Sequence, residues 1–170
     1  VSIDFNLTPA PVSETFAVPV DGSTTTIDLD LPAGKYFQVT VLGLSVSLGG
    51  LAISGDFSVT QSTNPDGSTV TALGIANFTA SIESISVTNG EGAFVITSNG
   101  IAGIVSGEGQ GNLGGAGGIA VEGTVTVRIN NTMGAVDETV NVGARVIPIR
   151  FGADEGDIVA ISVADLTLKI

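Results

Sequence analysis

The chain has 170 residues, 43% of them hydrophobic and only 13% charged, with no Cys and no His; 17 acidic residues against 5 basic give a net charge of −12. That balance is too apolar for a disordered tail, and it excludes disulfides, thiolate metal sites and Ser–His catalysis. The bases Lys35, Arg128, Arg145, Arg150 and Lys169 are scattered, so no patch neutralises phosphates, and nucleic acid is not an expected partner.

Hydrophobicity runs with period 2, and no window carries helical periodicity. In chain order the alternation predicts strands over 2–7, 14–20, 24–31, 36–48, 51–61, 68–82, 85–89, 92–97, 101–106, 118–129, 137–142, 145–151 and 157–170. Phe37, Val39 and Val41 share one parity and Leu44, Val46 and Leu48 the other, which predicts a bulge near Gly43. "NPDGS" (64–68) reads as a hairpin turn, and the Asn-Gly pairs in "TNGEG" (88–92) and "SNG" (98–100) read as two more. The six prolines are expected at strand ends, edges or loops. "GEGQGNLGGAGG" (107–118) predicts a mobile glycine loop, and Phe57, Phe78 and Phe94 are expected in the core. No apolar run reaches the roughly 18 residues of a membrane-spanning helix, so no span is expected. A start at Val1 suits a processed chain or a piece of a longer one.

One segment echoes another. "NNTMGAVDETVNV" (130–142) follows "NLTPAPVSETFAV" (6–18) at an offset of 124. Further on, "ISVADLTLKI" (161–170) follows "VTVLGLSVSL" (39–48) at an offset of 122, so a two-residue deletion is expected between them. Residues 125–170 thus repeat 1–48, and 49–124 occur once. The expected organisation is a partial copy over 1–48 and the remainder of one full period over 49–170.

The stretches "LPAGKYFQV", "LAISGDFSV", "VTNGEGAFVITSNGIAG" and "VEGTVTVRINNTMGAVDETVNVG" resemble the tandem units of very large bacterial surface or secreted proteins. Units of that family often place Pro before the Tyr, where this chain has Lys35. The resemblance implies an extracellular, non-catalytic repeat, often found alongside calcium-binding repeats. It brings no catalytic residues with it.

Sites can be weighed one by one. "GQGNLG" (109–114) fits a dinucleotide fingerprint, but glycine and strand follow it instead of a helix. Lys35 and Lys169 lie in loop or terminal positions unsuited to Ser–Lys chemistry. Asp28/Asp30 and Asp137-Glu138 read as solvated strand faces rather than hydrolase pairs. Oxygen ligands cluster at 64–67 and 153–157, which makes calcium the cofactor to test, although turn chemistry accounts for both loops. "NFT" (77–79) and "NNT" (130–132) fit the glycosylation pattern, which in bacterial proteins is usually an accidental match. "STTTID" (23–28) is too short for a regular ice- or glycan-binding face.

The expected fold is all-β and mostly antiparallel, a sandwich or elongated barrel-like stack, with a β-solenoid as the alternative. The expected function is a structural or adhesive repeat module, without catalytic, cofactor-binding or metal residues, whose partners are neighbouring copies of itself. A subunit polymerising by strand exchange, or a glycan- or surface-binding module, are the alternatives.

Overall fold

A computed structural model describes residues 1–48, 50–64, 66–113 and 118–169. Twelve strands form: β1 (Ser2–Asn6), β2 (Val12–Val20), β3 (Ser23–Leu31), β4 (Tyr36–Leu48), β5 (Leu51–Thr63), β6 (Thr69–Ile82), β7 (Ile85–Thr97), β8 (Gly100–Leu113), β9 (Ile119–Asn130), β10 (Val136–Val142), β11 (Arg145–Phe151) and β12 (Ile158–Lys169). A 3₁₀ turn, Ala153–Glu155, precedes β12. Eight strands make one antiparallel sheet in the order β1-β4-β5-β6-β7-β8-β9-β12, while β2-β3 and β10-β11 are separate two-stranded hairpins.

The chain is thus all-β and antiparallel. Its elongated form is one wide sheet with a hairpin layered on it, and no barrel closes among the described residues. The solenoid alternative does not form, because sequence neighbours in the sheet are joined by antiparallel hairpins, not stacked as parallel coils.

The alternation sorts side chains between two faces. Across β9 and its neighbours, Val125, Val127 and Ile129 lie beside Val105, Gly103, Val163, Ile161 and Val159. The same face carries Phe57 and Val59 of β5 opposite Val41 and Val39 of β4, and Leu73 of β6 opposite Phe94 of β7. Among the described residues of the sheet, no charged side chain falls on this face. The opposite face is polar at its margins and small at its centre. There the hairpin β10-β11 lies over β6, β7 and β8, and Val140, Val142, Ile147, Ile149 and Phe151 form one core with Ala76, Ala93, Val95 and Ala102.

The core is therefore not where Phe57, Phe78 and Phe94 are, and Phe151 of β11 is the phenylalanine in it. Phe57, Phe78 and Phe94 are half-buried on the face away from the hairpin. The hairpin needs small residues beneath it for close approach. At Gly74 a Cβ would collide with the side chains of Val140 and Val142.

Glycines inside the strands serve a second purpose. Phe78 covers Gly90, Phe94 covers Gly103 and Val87 covers Gly107, each occupying the space a Cβ would need. The segment expected as a mobile loop is strand β8 as far as Leu113; Gly114 to Gly117 lie outside the described residues, as do Gly49, Pro65 and Ile170. "TNGEG" is likewise not a turn. β7 runs through it, with a bulge between Thr88 and Glu91 where Asn89 takes a φ of 51°. The bulge expected at Gly43 is present, with a φ of 66° and a register shift between Val41 and Leu44. Bulges bend and twist the sheet where they occur. Two are braced by Asp56, which accepts the Gly43 N–H at 2.7 Å and the Asn77 side-chain amide at 2.6 Å. Pro19 and Pro148 sit in two-stranded hairpins, where a missing N–H can face outward.

Candidate interaction edges and the asparagine corner

Two parts of the chain share one local construction: a sheet strand, a hairpin carried off the sheet, and a second sheet strand returning antiparallel to the first. The first runs β1, β2-β3, β4, and the second runs β9, β10-β11, β12. Their registers coincide. Asn6 lies opposite Tyr36 and Ser2 opposite Thr40; Asn130 lies opposite Ile158 and Thr126 opposite Ser162. These are the positions related by offsets of 124 and 122. The left-handed residue Gly43 of β4 also has its counterpart in Asp165 of β12, with a φ of 54°.

The length difference falls differently from the expectation. The second hairpin spans 136–151 where the first spans 12–31, four residues fewer. Its following connection, 152–157, is two longer than 32–35. The two changes leave the net deletion of two.

An asparagine at each corner ties the chain where it leaves the sheet. Asn130 is fully buried; its amide donates to the carbonyls of Gly134 at 2.9 Å and Glu155 at 2.8 Å. Its Oδ1 accepts the Thr132 N–H at 3.0 Å and hydroxyl at 2.8 Å. Asn6 does the same, donating to Ala10 at 2.9 Å and Pro32 at 2.7 Å and accepting twice from Thr8 at 2.8 Å. An Asn side chain offers two donors and an acceptor at fixed geometry, so it can close both ends of one loop. Complete burial of Asn130 also removes it as a glycan attachment point.

The second corner has an extra clamp. Arg128 forks onto Glu155 at 2.6 and 3.1 Å, donates to the Arg150 carbonyl at 3.0 Å and stacks 4.7 Å from the centre of the Phe151 ring. In the first corner the position equivalent to Arg128 is Asp4, so this clamp has no counterpart. The Arg128 guanidinium, then the Gly152 N–H, hold the Glu155 carboxyl below the usual carboxylate range. At Asp56 the Gly43 N–H, then the Asn77 amide, act in the same direction.

Carboxyls with lowered folded pKa values stabilise fully above the unfolded value, about 4.3 for Glu, and lose that contribution as pH falls through the folded value. The urea midpoint should therefore fall as pH drops below about 4. Glu155→Gln should lower the midpoint at pH 7 and make it less sensitive to acid; an unchanged acid slope would count against the Arg128 clamp.

The remaining sequence-predicted positions do not converge. In the 64–67 loop Asp66 accepts from the Ser68 N–H at 2.9 Å and hydroxyl at 2.6 Å, so its carboxylate serves the turn. In 153–157 Glu155 is committed to Arg128 and Gly152. Among the described residues no three acidic side chains gather as a metal would need. Residues 109–113 of the glycine motif lie in β8, and the next element is strand β9, not a helix. Asp28 accepts from Thr15, and Asp137 pairs with Arg150 at 3.2 Å, all exposed. Lys35 is exposed, and Lys169 pairs with Glu122. Asn77 is exposed, at a bulge. Thr24, Thr25 and Thr26 are exposed on β3 alone. No helix of the described residues is long and apolar enough to cross a membrane.

What remains open is backbone and apolar surface. β1 and β12 are the outer strands, each with one edge unpaired among the described residues. On the apolar face a shallow groove of about 420 Å³ runs between Val87, Gly109, Val125, Val163 and Leu166. Comparison with protein-family models, curated proteins and solved structures finds no match to this chain.

Proposed function

We propose that this chain is a non-catalytic structural module of a large extracellular bacterial protein, built to join serial copies of itself into one continuous sheet. The observation that carries the reading is the doubled corner: β1 with β4 and β9 with β12 share strand register and asparagine network. Equivalent strands have complementary open edges. β9 pairs on its far side with β8, whereas β1, its counterpart, has no partner there; β4 pairs with β5, whereas β12 has none. A preceding copy would supply a β8 strand to β1, and a following copy a β5 strand to β12. Backbone ladders would then run unbroken through the array and leave few edges to aggregate. The resemblance to giant surface proteins and the acidic surface, which repels neighbouring rods, point the same way. The same open edges would serve a separate subunit polymerising strand to strand.

Chains of one, two and three tandem periods test it. One period contributes the six sheet strands β4 to β9, so at about 4.8 Å per strand each copy should lengthen the particle by about 29 Å in small-angle scattering. Melting temperature should rise with copy number and then level off, as coupled repeats do. Copies that melt independently at the single-period temperature, like beads on a string, would contradict the reading.

A further inference from the structure

The hairpin β2-β3 stands in the fold where β10-β11 stands, yet it covers almost nothing. Superposing the two by offset and register places Phe16, Val18, Ile27, Leu29 and Leu31 on Val140, Val142, Ile147, Ile149 and Phe151. These last five are the hairpin's buried residues in the core, with Val136 partly buried against them. Every position stays apolar, two are identical and one exchanges Leu for Ile. The larger Phe16 in place of Val140 is offset by the smaller Leu31 in place of Phe151. Exposure differs sharply, however. Phe16 is 50% and Ile27 51% exposed, against 2% and 5% for Val140 and Ile147; Val18 and Leu29 are half-buried where Val142 and Ile149 are buried, and Leu31, beside the corner, is buried like Phe151. A two-stranded hairpin with an apolar side is marginal alone in water. Its side is matched to a surface this chain contains but cannot offer twice, since β10-β11 already fills it.

We infer that β2-β3 is a clamp for a second copy of this unit, its apolar side seating on the β6–β8 face of the preceding copy as β10-β11 seats on its own. The inference rests on the serial-copy reading and adds to it a second joint on the sheet face, beside the strand pairing at the edge. The register of that edge follows from the same template. Asn130 lies opposite Ala102 and Val127 opposite Val105, so Asn6 should lie opposite Ala102 of the preceding copy and Ile3 opposite its Val105. The partner face must keep its small residues, Gly74, Ala76, Ala93 and Ala102, since a larger side chain there would hold the clamp off.

Two constructions test the clamp. In the first, residues 1–124 are placed directly before Val1, so that Thr124 precedes Val1 as it precedes Val125. Hydrogen exchange should then slow by roughly a hundredfold at the inner β2-β3 amides relative to the 170-residue chain. Phe16→Asp in the inner hairpin should abolish that slowing. Edge amides of inner β1 report the strand joint separately. Slowing at β1 without slowing at β2-β3 overturns the clamp and leaves the serial-copy reading standing; slowing at neither overturns both. The second construction does not need a longer chain to fold. Residues 12–31 are grafted in place of 136–151 in the 170-residue protein. The grafted chain should fold cooperatively, and Phe16→Asp in the graft should lower its melting temperature, while Phe16→Asp at its native place leaves the unmodified protein's melting temperature unchanged. A graft that fails to fold, or that tolerates the aspartate, overturns the clamp.

Discussion

Ile149→Ala should destabilise the chain by about 4 kcal/mol, while Leu29→Ala, at the equivalent place in the first hairpin, should change global stability by less than about 0.5 kcal/mol. Ile149 has no exposure and lies in the core between the hairpin and β6–β8. Its truncation removes buried methyls and leaves a cavity that a sheet braced by ladder bonds cannot collapse to fill. Leu29 has the same parity on its own hairpin but is only half-buried and lies outside that core. Gly74→Val probes this interface from the other side. Its Cβ falls on the side chains of Val140 and Val142, so the hairpin must lift or the sheet must bend, at roughly 3 kcal/mol. Urea unfolding of the three variants reads all of this. A large effect from Leu29→Ala would mean that β2-β3 packs within the isolated chain.

That contrast marks where sequence reasoning reached its limit. Alternation placed nearly every strand, because a sheet with one apolar face repeats its pattern at each residue pair. Gly43 was legible as a bulge since a slip of parity leaves a trace in the letters. Asn89-Gly90 was not, because a turn and a bulge both ask for a left-handed residue, and only the continued pairing of Ile85–Thr88 with β8 separates them. Glycine density at 107–118 suggested a loop, yet at Gly107 the missing side chain admits Val87 from the adjacent strand. That reason is invisible along the chain, as it belongs to the pair of strands.

The core was misplaced for a related cause. Large residues announce themselves by size, and Phe57, Phe78 and Phe94 drew the expected core to their own face. The hairpin instead settles on the face with the smallest residues, where two backbones can approach. Separation of Ala93 and Ala102 from Phe94 and Gly103 is one step of parity, and nothing in one-dimensional hydrophobicity says which parity another element will cover. The asparagine corner was half legible. Asn6 and Asn130 stood out as an aligned pair, but their job depends on carbonyls 25 and 26 residues further along the chain.

Asn130→Ala should cost about 3 kcal/mol, and Asn130→Asp at least as much at pH 7. The alanine leaves the carbonyls of Gly134 and Glu155 and the N–H of Thr132 without their partner in a half-buried corner closed over the buried Asn130 side chain. Each unsatisfied buried group carries a desolvation penalty larger than the net gain of a typical hydrogen bond. Aspartate is nearly isosteric and can still accept from Thr132. Where the amide donated to two carbonyl oxygens, however, it sets a carboxylate oxygen against them and buries a charge with no cation in contact. Protonation restores one donor, so Asn130→Asp should regain part of its deficit as pH falls, while Asn130→Ala should not. Asn6→Ala breaks the same four bonds at the other corner, but behind it lie only short β1 and an unsupported hairpin. Its global cost should be nearer 1 kcal/mol, with exchange of β1 and β2-β3 amides accelerated locally. In a chain lengthened by a preceding copy, the two asparagines should become equal in cost, since each would then anchor a hairpin seated on a sheet. Persistent inequality in that longer chain would mean that the corners share a shape without sharing a load.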